Sequence, residues 1–155
     1  MAGLVFVPLN GDTLRTWATT GVLAGNVRGY AVTPTMADAF GFTDTTDEDA
    51  EHTALCIASL AALLAGGVRL VGVADTDHLN DPADAEFGSV SVSDVPFTRV
   101  TALFAGAEPA TVEGVAGMAL ATAWEREDLQ ELLSRGDLLW HGAGEWPVLT
   151  DGTRA

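Results

Sequence analysis

Residues 47–67, DEDAEHTALCIASLAALLAGG, begin as a run of acids and continue as an apolar segment of helical length. No other stretch limits the fold as much. Asp47, Glu48 and Asp49 fall in a first turn, where the positive end of the helix dipole favours carboxylates by about 0.3–1 kcal/mol each. Thr46 precedes them as a cap. Ala50, Leu55 (or Ala54), Ile57, Ala58, Leu60, Ala61 and Leu64 form a broad apolar face, and Gly66–Gly67 ends the segment. Such a face has to be covered by other elements.

Short apolar runs supply the strands. Residues 4–8 (LVFVP), 27–34, 69–76, 99–106 and 137–142 read as strands, and 89–94 (SVSVSD) alternates strictly, as a half-exposed strand near a sheet edge does. Helices are expected over 13–21 with Asp12 as cap, over 34–41 with Thr33 as cap and Pro34 in the first turn, from Pro109 to Trp124, and over 125–136. The order β-α-β-α-α-β-β-β-α-α-β predicts an α/β fold bordering on α+β. It is a single domain over 1–150, with a mixed sheet of five to six strands packed with helices. Helical crossovers between the first three strands predict local parallel pairing there. Residues 151–155 read as a frayed tail.

Charge narrows the partners. The chain carries 22 acids and seven arginines, no lysine, and a formal charge of −15. This field repels nucleic-acid backbones and anionic membrane surfaces, so a basic protein partner or self-association is expected, with no nucleic acid and no membrane. The same charge also serves solubility alone. Cys56 is the only cysteine, so no intrachain disulfide forms, consistent with a reducing cytoplasm. The opening MAGLVFVPLNGD lacks a basic n-region and breaks at Pro8, so it is not expected to be a signal peptide. No apolar run reaches the roughly 18–20 residues of a membrane span.

Three constellations could carry chemistry. His52 and Cys56, four apart with Glu48 a turn earlier, share a helix face. Zinc needs a third and usually a fourth ligand, for which only His78 and His141 remain as histidines, so a core cysteine beside a surface Glu–His pair is the simpler reading. Within 75–86, Asp75, Asp77 and Glu86 occupy the first, third and twelfth positions of a calcium loop, but Leu79 and Asn80 fail at the fifth and sixth. Those three acids remain weak cation candidates against a solvated acidic loop. No nucleophile elbow, P-loop, dinucleotide fingerprint or Cys-x-x-Cys occurs, and the lack of lysine removes Schiff-base chemistry. No catalytic residue and no cofactor is therefore assigned.

Taken in order, VFVPL, YAVTP, EDAEHTALCIASLAALL, VPFTRVTALF and LLWHGAGEW resemble a group of small acidic αβ proteins of actinobacteria whose function is unknown. The resemblance implies a cytoplasmic location and carries over no activity. It draws attention to Trp140, His141 and Glu145 in an aromatic–acid ending, although His141 stands where another aromatic is expected. Among these residues Trp140 is expected in the core, beside Leu138 and Leu139, while Trp146, before Pro147, is expected to be exposed. Together they give an interaction surface over 140–147, in a non-enzymatic interaction or accessory domain. The alternative is a small enzyme or cation-binding domain using the 75–86 loop.

Overall fold

A computed structural model describes residues 2–44, 47–66, 68–106, 115–135 and 138–152. Strand β1 (Ala2–Leu9) leads through α1 (Gly11–Thr20) to β2 (Val22–Tyr30), and α2 (Pro34–Phe40) and α3 (Glu48–Gly66) precede β3 (Leu70–Asp77). A two-residue β4 (Leu79–Asn80), β5 (Ser89–Pro96) and β6 (Val100–Gly106) follow. Helices α4 (Leu120–Trp124) and α5 (Glu127–Ser134), strand β7 (Leu138–His141) and α6 (Trp146–Gly152) complete the chain. Among the described residues no helix is long and apolar enough to cross a membrane.

The sheet has seven strands, not five or six, in the order β4-β5-β2-β1-β3-β6-β7. Every pairing in it is antiparallel, which overturns the expected parallel pairing of the first three strands. Helix length gives the reason. The ten residues of α1 rise about 15 Å, whereas the eight of β1 span about 26 Å, so α1 cannot carry the chain back to the start of β1. Strand β2 therefore starts beyond the end of β1 and runs back to it, so that Tyr30, its last residue, pairs with Phe6. The 19 residues of α3, about 28 Å long, do make a full return, and β3 runs in the same direction as β2 with β1 between them.

Most helix starts lie within two residues of expectation, but the helix expected from Pro109 begins only at Leu120, because residues 115–119 form a turn with Gly117 at a φ of 76°. Asn10, not Asp12, caps α1: it is extended, and its Oδ1 accepts the Thr13 N–H at 2.8 Å. Thr33 caps α2 as expected. At α3, Asp47 Oδ1 accepts the Asp49 N–H at 2.8 Å; Thr46, the expected cap, lies outside the described residues, as do Gly67, Pro109 and residues 153–155.

Both sheet faces are covered, so the strands read as continuous apolar runs. On one face Phe6, Val71, Val73 and Ala102 pack under α3, which α4 and α5 cover in turn through Leu120, Ala123, Leu129 and Leu132. On the other face Val5, Val7, Leu9 and Leu103 pack against Leu14 and Trp17 of α1, with Trp146 and Leu149 of α6 at the margin. Only Phe97–Arg99 separate β5 from β6, which lie four strand spacings apart. A flat sheet would set them about 19 Å apart, against about 14 Å for the four steps from Pro96 to Val100, so the sheet curls around Trp17. Gly72 permits the close approach: a Cβ there would lie 3.1 Å from the Trp17 ring and 3.0 Å from Leu9.

Candidate functional site

The curl closes one face and leaves the other open at the β7 end. The register places Trp140 opposite Phe104, and Phe104 opposite Val71, so these side chains share the α3 face of the sheet. There Trp140 and Phe104 wall a groove of about 280 Å³ floored by Leu4, Phe6, Val73 and Ala102. Helix α3 supplies the opposite rim with Glu51 and His52, and Thr101 adds a hydroxyl.

Trp140 is 62% exposed and Leu139, on the other face of the same strand, 51%. The expectation that Trp140 is core is therefore corrected. It lies on a sheet edge, where Phe104 covers one side of it and no described strand covers the next. Trp146 is corrected in the opposite sense: as the first residue of α6 it is half-buried against the α1 face. Trp124 also packs inward, edge-on to Phe40 and Phe87 at ring separations of 5.7 and 5.8 Å.

After β7 the chain turns tightly. Glu145 Oε2 accepts the Gly142 N–H at 2.7 Å, and its other oxygen lies 3.7 Å from His141 Nδ1. Glu145 thus holds the turn that follows Trp140 and places a carboxylate near its ring. The residues singled out at 140–145 come together, and Trp146 leaves them for the core.

The His52–Cys56 face resolves differently. Cys56 Sγ lies 3.6 Å from His52 Nε2, but the thiol is buried. Burial raises the Cys56 pKa, only partly offset by the Arg69 charge, so sulfur stays protonated and weakly nucleophilic. His78 is buried just past β3, where desolvation lowers its pKa and favours the neutral imidazole. Among the described residues no three His, Cys, Asp or Glu side chains gather as metal ligands.

Asp75, Asp77 and Glu86 are all exposed, the first two at the end of β3 and the third in a 3-10 turn. Neighbouring acids of that loop are already engaged. Arg28 reaches Asp81 at 3.2 Å and Asp84 at 3.7 Å, and Asp81 also accepts the Ala83 N–H. An arginine thus ties the loop to β2.

A larger hollow of about 470 Å³ lies beside α1, lined in part by Asp12, Thr13, Thr16 and Thr20. The Thr20 hydroxyl there donates to the Thr16 carbonyl at 2.7 Å and is spent on the helix itself. The groove at Trp140 is the better site because an aromatic wall, an apolar floor and a carboxylate converge on it. Sequence reading missed Leu4, Phe6, Thr101 and Phe104, which meet there only through strand register, and Leu139, whose exposure follows from the edge position of β7.

Neither a curated protein nor a solved structure matches the chain. A family model does, over residues 4–150, from the groove residue Leu4 to the last turn of α6. The chain belongs to that family, DUF6912, a family of unknown function.

Proposed function

We propose that the protein is a non-enzymatic interaction domain of the cytoplasm, and that it binds a protein partner at the groove and edge around β7. The exposure of Trp140 carries this reading. A large aromatic more than half in water, next to an exposed leucine on a sheet edge, departs from the ordinary scatter of small apolar surface. Tryptophan is among the residues that most often dominate protein interfaces. An edge strand also presents unpaired backbone N–H and C=O groups on its outer side. The acidic balance of the chain and its single buried cysteine fit a reducing compartment and a basic partner.

Site-specific photo-crosslinking tests this reading. Leu139→p-benzoylphenylalanine should give a defined protein adduct in the native cell. The same group at Val148, which is more exposed than Leu139 but on α6, should not. Identical adduct patterns at the two positions, or none at 139, would remove the proposal.

A further inference from the structure

We infer that the groove between Trp140 and Glu51 receives an arginine side chain carried on an exposed segment of a basic partner protein; this deepens the interaction reading above and rests on it. The groove has the three parts that such a side chain uses. Leu4, Phe6 and Val73 form an apolar floor for its methylene stem. The Trp140 indole offers a π face to the guanidinium. Glu51 places a carboxylate on the opposite rim. At about 280 Å³ the groove has room for one long side chain.

Charge selects this occupant over others. Strand alternation puts Val73, Asp75 and Asp77 on one face, so two exposed carboxylates continue the line of the groove floor. Helix α3 runs opposite to β3, which brings its acidic first turn to the same end of the sheet. Of the basic groups near the groove, His52 stands on the rim, His141 follows Trp140 on the other face of β7 beside Glu145, and Arg99 lies just before β6. A second copy of the chain would carry a further −15 overall and the same carboxylates at this edge, and like charges oppose that contact. A purely apolar ligand would strip water from Glu51 without replacing its hydrogen bonds.

The test is an NMR titration of the intact protein with the peptide acetyl-Gly-Gly-Arg-Gly-Gly-amide, against the same peptide with Gln in place of Arg. Shifts should concentrate on Leu4, Phe6, Glu51 and the Trp140 indole, and the Gln peptide should bind about tenfold more weakly or less. Glu51→Gln and Trp140→Ala should each weaken the Arg peptide by about three- to tenfold, with Trp140→Phe recovering part of the loss. Asp12→Asn removes the same charge on the opposite face of the sheet and should leave the affinity unchanged. Three results would overturn the inference. One is shifts scattered over the acidic surface. Another is an equal loss from Asp12→Asn and Glu51→Gln. The third is a dimer that persists in high salt and disappears with Trp140→Ala, which would assign the groove to a second copy. If the crosslink at position 139 forms but is indifferent to Glu51→Gln, the arginine inference fails and the interaction reading stands. If neither the crosslink nor peptide binding responds to position 140, both fail.

Discussion

Trp17 and Trp140 are the same residue type at opposite fates. Trp17 is wholly buried, and its indole N–H donates to the Val95 carbonyl at 2.9 Å. Phe97 meets it edge-on at 5.6 Å, and α1 seals it against a curled sheet. Trp140 has one strand on one side and water over most of its ring. The first is carried by a helix packed onto the sheet; the second sits on a four-residue edge strand. The contrast separates what tryptophan does for folding from what it offers to another molecule.

The sharpest way to break this contrast is Trp17→Ala. Truncating a sealed tryptophan removes its transfer free energy and leaves a cavity, about 3–5 kcal/mol together. The Val95 carbonyl also loses its donor. Against a total stability of about 5–15 kcal/mol for an ordinary domain, urea denaturation should show a large fall in midpoint. A loss under about 1.5 kcal/mol would mean that α1 does not seal this face of the sheet. Gly72→Ala should come next, at about 1–3 kcal/mol, because its new methyl would press on the rigid Trp17 ring. Leu9 can turn aside from that methyl; an indole with its N–H already committed cannot.

The sequence made some of this legible. The long α3, the Thr33 cap and the positions of most strands follow from local signals, namely dipole-favoured acids, a β-region cap before proline, and apolar runs bounded by turn residues. Strand order did not follow, because pairing is set by how far each connection can reach, and α1 is too short to act as a crossover. That misreading had a consequence at the site. Without the register of Trp140 with Phe104 and of Leu4 with Asp75, nothing links residues 4, 51, 73 and 140. The 140–145 cluster is visible as a local turn, yet its local signals point to the wrong tryptophan as the exposed one. Pro147 marks a helix start, and a helix that begins at Trp146 carries that ring inward onto the core; the run LLW looks like core until β7 is known to be the last strand.

Trp140→Ala should have the smallest effect on stability. More than half of the ring is already in water, and strand preference on an edge is worth only part of about 1 kcal/mol, so the loss should stay near 0.5–1 kcal/mol in the same urea assay. The value lies in the mismatch. A side chain that barely supports the fold but controls crosslinking and peptide binding belongs to a surface made for something else. Should Trp140→Ala instead cost as much as Trp17→Ala, the ring must be covered in solution. That cover would come either from a second copy seated on the edge or from within the chain. Repeating the melt at several protein concentrations then separates the cases, because cover from a second copy makes the loss depend on concentration and an intramolecular cover does not.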